Sequence, residues 1–328
     1  MKTPGFWRPG RPTALARALQ PVGALYGAAT ARRMARPGRR AEAPVVCVGN
    51  FVVGGAGKTP AAIALARMLI DDGRRVAFLS RGYGGAKRVE PVRVDPNVHD
   101  ARTVGDEPLL LARIAPCWVG ADRVKAATMA VEARAQVLLL DDGLQNPALA
   151  KDLAFAVVDG EQRFGNGLCF PAGPLRAPVA AQAPHVEGLI VIGGDESAAL
   201  AISAAAPGKP ILRANLEPDA FAAATLIGRE VVAFAGIARP EKFYATLRRI
   251  GAQLVATRDF ADHHVFTERE IEALTDEAAR RSALLATTEK DRVRLTARQA
   301  QAVVTLPVML RFDEPSAARE MLRRALSG

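Results

Sequence analysis

The sequence predicts an α/β protein with a doubly wound, mostly parallel sheet, a second and smaller α/β domain, and an N-terminal amphipathic helical segment. Three observations lead to this prediction: short apolar runs alternate with helical stretches, the alternation restarts near Arg229, and residues 1–42 follow neither pattern. Strands that are apolar along their whole length are typical of parallel strands buried on both faces. The 328 residues, 49% of them hydrophobic, suffice to bury two cores.

Residues 1–42 are predicted to be an amphipathic helical segment at a membrane interface. They combine Trp7 and Tyr26 with arginines clustered at the far end, over Arg32–Arg40. In an interfacial helix, aromatic rings lie at headgroup depth and arginines contact lipid phosphates. The alternative is a helical hairpin that packs on the first domain and breaks at Pro21. The spacing of apolar residues favours the two arrangements equally. No apolar run is long enough to predict a membrane-spanning helix.

Residues 43–225 are predicted to form the larger α/β domain, and residues 226–328 the smaller one. The strands expected in the larger domain are Pro44–Val48, Arg75–Leu79, Val137–Leu140, Ala154–Val158 and Gly188–Ile192, with helices Pro60–Asp71 and Asp122–Arg134 between them. In the smaller domain we expect strands Val231–Phe234, Leu284–Thr287 and Val303–Leu310, and helices Glu241–Ile250 and Thr267–Arg281.

The charge balance is basic, with a formal net charge of +10. Such a balance favours an acidic partner, such as an anionic lipid surface or a phosphorylated substrate. Nucleic acid is not expected, because the sequence has no RNA-recognition signature, zinc-finger spacing or long basic helix with interleaved aromatic residues. No obligate protein partner is evident.

The strongest local signal is a glycine-rich loop between an apolar strand and a helix, in VCVGNFVVGGAGKTPAAIALARML. Glycines let backbone N–H groups approach phosphate oxygens, and the following helix adds its N-terminal dipole. Lys58 should reach the β- and γ-phosphates, and the Thr59 hydroxyl should hold Mg²⁺. The match departs from a strict P-loop at one position, because this chain has Val52 where the P-loop has glycine. The sequence therefore predicts a site for ATP and Mg²⁺ made by Val52, Val53, Gly54, Gly55, Ala56, Gly57, Lys58 and Thr59.

A pair of carboxylates follows another predicted strand, in AQVLLLDDGLQ. Asp141 and Asp142 should lie at the carboxyl edge of the sheet, where ligands bind in open α/β folds. One of them is expected to orient Mg²⁺ or its water, as the Walker-B aspartate does in P-loop enzymes. The alternative is a solvated turn after the strand.

Two other classes of protein are alternatives to a kinase that uses ATP. A P-loop GTPase or a metal-chaperone NTPase would share the sheet, but TTEKD only superficially resembles the guanine-specific NKxD sequence. A non-enzymatic basic module that binds a membrane or nucleic acid is disfavoured by the paired acidic residues, which repel a polyanion unless Mg²⁺ intervenes.

Eight stretches, among them the glycine-rich loop and the paired aspartates, occur in an order that resembles the tetraacyldisaccharide 4'-kinase family, the lipid A 4'-kinases. They extend over nearly the whole chain and follow an FWRP…LYGAATARR leader: GNFVVGGAGKTP, LSRGYGG, VGDEPLLLA, LLLDDGLQN, FPAGPLR, FAGIARPEKF, FADHH and TTEKD. The resemblance implies a P-loop fold whose second domain closes over the nucleotide. It also implies that ATP phosphorylates the 4'-hydroxyl of a tetraacylated glucosamine disaccharide 1-phosphate, giving lipid IVA, at the cytoplasmic face of the bacterial inner membrane. An acylated acceptor favours the interfacial reading of residues 1–42.

The resemblance also implies roles for single residues. Asp106 in VGDEP matches the proposed catalytic base, and His263 in FADHH matches the histidine that pairs with it. Alongside Lys58 and Asp142, the catalytic set includes Arg176, which would stabilise the transferring phosphoryl group. Metal ligands would be Thr59 and Asp141, and the substrate would meet Arg81, Tyr83 and Gln145.

Two positions depart from the family pattern. Ala177 stands where a glutamate is common, and Asn146 where a histidine is common. Neither change affects Lys58, Thr59 or Asp106. We therefore expect both changes to leave the enzyme active.

Overall fold

The computed structural model of the chain describes residues 4–86 and 90–326. The strands in these residues are β1 Val45–Gly49, β2 Val76–Ser80, β3 Val92–Arg93, β4 Cys117–Val119, β5 Val137–Asp141, β6 Leu153–Asp159, β7 Gly188–Ile192, β8 Ile211–Pro218, β9 Glu230–Ala235, β10 Gln253–Asp259, β11 Leu284–Thr288, β12 Val304–Leu306 and β13 Val308–Phe312. The α-helices are α1 Ala14–Met34, α2 Lys58–Asp71, α3 Ala101–Val104, α4 Asp106–Ala112, α5 Arg123–Glu132, α6 Val179–Gln182, α7 Glu196–Ala205, α8 Ala220–Ala224, α9 Pro240–Arg249, α10 Glu268–Arg280, α11 Glu289–Arg292, α12 Ala297–Gln301 and α13 Pro315–Leu326.

Two sheets organise the described residues. The larger has the strand order β13-β8-β7-β6-β1-β5-β2-β4-β3, and the smaller has the order β10-β9-β11-β12. Strands of the larger sheet run parallel except for its two edges, where β13 pairs antiparallel with β8 and β3 with β4. All pairs in the smaller sheet are parallel. The doubly wound, mostly parallel architecture is therefore confirmed.

The central strands of the larger sheet are buried on both faces, as their uninterrupted apolar runs predict. In β1, Val46 and Val48 pack into one core while Val45 and Cys47 pack into the other. This division follows from the two-residue period of a strand, which sends neighbouring side chains to opposite faces. The smaller sheet likewise has a separate core on each face.

The predicted strand Val303–Leu310 is wrong. The structure splits this apolar run at Pro307 into β12, which joins the smaller sheet, and β13, which crosses to the edge of the larger sheet. Proline lacks the N–H group that an uninterrupted strand would need at this point. The last segment, expected within the smaller domain, thus completes the larger sheet, and Arg319 of α13 pairs with Asp72 at the end of α2.

The N-terminal segment contains one continuous helix, α1, so the hairpin broken at Pro21 is wrong. We call each sheet with the elements packed on it a unit, the larger and the smaller. Gly23 and Gly27 face the larger unit, where an added Cβ would lie 2.6 Å and 2.7 Å from atoms of Cys169. Small residues therefore let one side of the helix pack closely, while Val22 and Leu25 remain 55% and 74% exposed.

Trp7 differs from the expectation that it lies at a membrane surface. It is buried, its indole N–H donates to the Pro171 carbonyl at 3.0 Å, and its ring meets Phe170 edge-on. Of the two aromatic residues assigned to the lipid headgroups, Tyr26 alone is exposed.

Candidate active site

The glycine-rich loop lies between β1 and α2 at the carboxyl edge of the larger sheet. Gly54 and Gly57 have φ angles of 108° and 87°, in the left-handed region that glycine adopts without a steric penalty, whereas Gly55 does not need this freedom. Lys58 and Thr59 occupy the first turn of α2 and are buried. The Lys58 ammonium donates to the Gly54 carbonyl at 3.2 Å, so the lysine folds back over its own loop.

The two acidic residues lie beside this loop because β5 pairs with β1. The parallel register aligns Val48 with Asp141, so both strands end at the same edge. Asp142 has a left-handed φ of 54°, and its Oδ2 lies 3.7 Å from Lys58 Nζ. Burial would raise the pKa of Asp142, but Lys58 and Arg176 hold it below the ordinary value.

The residues at this edge fit a divalent cation. Asp141 is 2% exposed, and its Oδ1 and that of Asp142 are buried acceptors without a hydrogen-bond partner in the described structure. Burial, reinforced by the nearby Glu107, raises the pKa of Asp141 to about 8. Unpaired buried carboxylate oxygens are costly, and Mg²⁺ takes such oxygens as ligands while keeping several waters. The described residues hold no larger cluster of acidic, His or Cys side chains arranged for a metal.

Asp106 and His263 meet across the two units. Asp106 begins α4 of the larger unit and is 2% exposed, while His263 follows β10 of the smaller unit with a left-handed φ of 60°. His263 Nδ1 lies 3.1 Å from Asp106 Oδ2. This hydrogen bond, opposed by burial, raises the pKa of His263. The adjacent His264 points elsewhere and pairs with Glu270 at 3.0 Å, so the two histidines have different partners.

Two cations of the smaller unit meet the acidic pair that starts α4. Lys290 Nζ lies 2.6 Å from Glu107 Oε1, and the Arg294 guanidinium contacts Asp106 Oδ2. Burial would raise the pKa of Glu107, but Lys290 and Lys58 lower it. Burial also opposes ionisation of Asp106, yet His263, Arg294 and Lys290 hold its pKa far below the usual range. These three groups therefore favour the ionised form of Asp106.

Of the remaining predicted site residues, Arg176, Arg81 and Tyr83 lie around the site, whereas Gln145 lies beneath the loop. Arg176 points into the site: its Nε donates to the Val52 carbonyl at 3.0 Å, and its Nη2 lies 3.2 Å from Asp142 Oδ2. Arg81 is exposed at the same edge, and the 69% exposed Tyr83 packs its ring on His263 with centroids 5.3 Å apart.

Gln145 lies beneath the loop and is 5% exposed. Its amide nitrogen donates to the Asn50 carbonyl at 2.7 Å and to Gln182 at 2.9 Å. This placement favours a role in supporting the loop over the predicted contact with substrate. Ala177 is buried nearby, with its carbonyl accepting from Gln182 at 2.6 Å.

Sequence reasoning missed several residues around the candidate site. Arg294 follows the TTEKD motif by three positions, and Lys290 lies within that motif, yet no local pattern pairs them with α4. Arg123 begins α5 after β4 and is 4% exposed, with its Nε lacking a hydrogen-bond partner in the described structure. Burial, with Arg81 nearby, lowers the pKa of Arg123 to about 10. An arginine at the start of the helix that follows a strand of this edge was the available signal.

A profile described as tetraacyldisaccharide-1-P 4'-kinase matches residues 15–327. The chain belongs to the tetraacyldisaccharide-1-P 4'-kinase family. It is 55% identical to the tetraacyldisaccharide 4'-kinase of Methylobacterium sp. (strain 4-46), with 100% of this chain and 99% of the relative aligned. It is 48% identical to that of Bradyrhizobium sp. (strain ORS 278), over 100% and 98% of the two chains.

A solved structure supports the same assignment. LpxK from Aquifex aeolicus, described as an "apo" form in complex with ATP, superposes with a TM-score of 0.74 at 25% identity, covering 95% of this chain and 99% of that one. The kinase assignment and the fold predicted from the sequence are confirmed, and the GTPase and non-enzymatic alternatives are set aside. As a member of this family, the chain is a lipid A 4'-kinase.

Proposed function

We propose that this kinase binds Mg-ATP at residues 52–59 and that Asp106 accepts the proton of the sugar 4'-hydroxyl during phosphoryl transfer. The bond between the γ-phosphorus and the bridging oxygen of ADP breaks as the 4'-oxygen bonds to phosphorus. The products are ADP and the 4'-phosphorylated disaccharide, lipid IVA. The observation that carries this proposal is the contact between Asp106 and His263 across the units. Glu107, the neighbour of Asp106, is close enough to Lys58 of the loop for that lysine to lower its pKa.

The hydrogen bonds of Asp106 suggest which oxygen takes the proton. Its Oδ2 meets both His263 and Arg294, whereas its Oδ1 accepts the backbone N–H of Glu107 at 3.0 Å. A carboxylate oxygen has two lone pairs. Within the described structure, Oδ1 therefore retains an acceptor position for the hydroxyl. His263 would orient the carboxylate and stabilise its charge.

The residues around the loop supply the charges that phosphoryl transfer needs. Lys58 and Arg176, both beside Asp142, would stabilise negative charge on the phosphoryl oxygens. Mg²⁺ would be held by the Thr59 hydroxyl and Asp141, and when bound it neutralises phosphate charge and fixes the phosphates in place. Arg81 and Tyr83 lie at the open side of the site, where the disaccharide would contact them.

We further infer that α1 rests on the anionic cytoplasmic surface of the bacterial inner membrane. The helix exposes Leu15, Val22 and Leu25 along one side, and Arg32 and Arg33 in its last turn. Exposed apolar side chains beside basic ones favour an interface with anionic lipid. Among the described helices, none is long and apolar enough to cross a bilayer. A peripheral position would let the acyl chains of the acceptor stay in the membrane.

The test is an assay with Mg-ATP and tetraacyldisaccharide 1-phosphate in detergent, in which the 4'-phosphorylated product is measured. Wild-type protein should form the product, and Asp106→Ala should lose nearly all turnover while still binding ATP. Full turnover in Asp106→Ala would refute the proposed base. Absence of product from wild-type protein that binds ATP would refute the acceptor.

A further inference from the structure

The guanidinium of Arg294 lies at the centre of the contact between the two units. It contacts Asp106 of the larger unit and, within its own unit, donates to the Gly236 carbonyl at 2.7 Å and to Asp291 Oδ1 at 2.9 Å. The side chains of all three charged residues are almost fully buried, with exposed fractions of 3% for Arg294, 2% for Asp106 and 0% for Asp291. A buried arginine with this many partners is held in a single orientation.

Arg294 is also connected to the backbone that carries His263. The Gly236 carbonyl that accepts from Arg294 also accepts the backbone N–H of His263 at 3.1 Å. The Gly236 N–H in turn donates to Asp291 Oδ1 at 3.0 Å. One guanidinium thus joins the carboxylate on α4 to the turn that presents the imidazole. Because His263 has a left-handed φ, that turn needs such support.

We propose that Arg294 is a positioning residue that holds Asp106 and the His263 turn as one unit when the two domains meet. This inference rests on the proposed role of Asp106 as the base. Without Arg294, Asp106 would keep its hydrogen bond to His263 but lose the partner that fixes Oδ2 from the other side. The carboxylate could then rotate, and Oδ1 would no longer face the hydroxyl in one fixed direction.

The charge of Arg294 has a second consequence. Among the described residues, the charged groups that face Asp106 are Arg294, His263, Lys290 and the neighbouring Glu107. Asp106 must be ionised to accept a proton, and the cations around it keep it ionised. Removing one cation raises the pKa of Asp106, so the low-pH loss of activity should begin at a higher pH.

The experiment compares wild-type protein with Arg294→Gln and Arg294→Lys by measuring kcat, both KM values and the pH dependence of kcat/KM. In Arg294→Gln we expect kcat to fall about 100-fold, since a misplaced reactive group costs about this factor. The KM for ATP should stay near the wild-type value, and the acid limb of the profile should move to higher pH. Arg294→Lys keeps the charge but not the planar fork, so kcat should fall while the acid limb stays in place.

Two controls separate the possible causes. Arg239→Gln removes ion pairs with Asp159 and Glu161, which also join the two units, but does not involve Asp106. If Arg294 only attached the domains, Arg239→Gln and Arg294→Gln would change kcat and KM alike and leave the acid limb unmoved, which would overturn the inference. Asp106→Asn tests the base itself, because near-normal turnover in that variant would refute the proposed function.

The positioning role of Arg294 can be tested even if one of the variants does not fold. Thermal unfolding and ATP binding show whether each variant is folded. If Arg294→Gln is unfolded, Arg294→Lys decides, and a kcat within about twofold of wild type overturns the inference. Normal kcat in folded Arg294 variants together with an inactive Asp106→Asn would refute the positioning role alone.

Discussion

His263 Nδ1 and Asp106 Oδ2 lie 3.1 Å apart although 157 positions separate the two residues along the chain. One belongs to a turn after β10 of the smaller sheet, and the other begins α4 beside the larger sheet. The proposed base and its partner are therefore assembled only when the two units meet. If the two units close over the nucleotide, as the resemblance to the family implies, closure would be coupled to catalysis, because an open arrangement would lack the pair.

The pair predicts a pH dependence of stability. The pKa of His263 is raised above its ordinary value of 6.5, chiefly by its hydrogen bond to Asp106. The stabilisation is therefore fully present below about pH 6.5 and is lost as the pH rises through the raised pKa. We expect the difference in free energy of unfolding between wild type and His263→Asn, measured with urea, to shrink as the pH rises. Asparagine tolerates the left-handed backbone. A difference that is constant from about pH 5 to 9 would contradict the ion pair.

The burial of Asp141 predicts opposite effects of this carboxyl on the stability of the protein and on its affinity for Mg²⁺. Burial raises its pKa, so the wild type loses stability as the pH rises above about 3.8 toward the raised value. Asp141→Asn removes the cost of protonating this buried carboxyl on folding and should raise the melting temperature at neutral pH without Mg²⁺. The same variant should need at least about 10-fold more Mg²⁺ for half-maximal activity, since it loses a charged ligand. An unchanged Mg²⁺ dependence would remove Asp141 from the metal site.

The parts of the fold that local sequence determines were predicted well. The loop at residues 52–59 lies between β1 and α2 because an apolar run, glycines and an amphipathic helix follow one another directly. The strand β8 was missed since its burial alternates and it depends on partners far along the chain. The division at Pro307 was missed for a similar reason: both halves are apolar, and only the sheets they join distinguish them.

The candidate site likewise contains some residues that local sequence predicts and others that it does not. The expectation that Asp141 and Asp142 lie beside the glycine-rich loop required only a parallel sheet, and the structure confirms this placement. Resemblance to the family, rather than spacing, pointed to Asp106 and His263. Arg294 lay outside every motif, because its contact with Asp106 depends on how α11 and the following turn dock against α4. Contacts between domains have no periodic signature in a sequence.

The exposed side of α1 predicts lipid binding that can be removed without disturbing the fold. Val22→Ser and Leu25→Ser together replace exposed apolar side chains, so the protein should remain folded. The fraction of protein that sediments with anionic vesicles should fall several-fold. The KM for the acylated acceptor in vesicles should rise, while the KM for ATP stays constant. Phe221→Ser is the matched control, because Phe221 is 84% exposed on α8. Equal vesicle binding by the double variant and the control would contradict the proposed surface.

The position of Lys58 predicts a large loss of activity when its charge is removed. Its side chain is buried against the loop, with Nζ near the Gly54 carbonyl and Asp142, so methionine can occupy the same volume without the charge. Lys58→Met should lower kcat about 100- to 1000-fold, since loss of one preorganised donor to developing charge costs about this factor. Lys125→Met serves as the control, because Lys125 pairs with Glu90 at the surface and does not face the loop. Product formation is followed with radiolabelled ATP, and a Lys58→Met variant within about threefold of the control would exclude Lys58 from phosphoryl transfer.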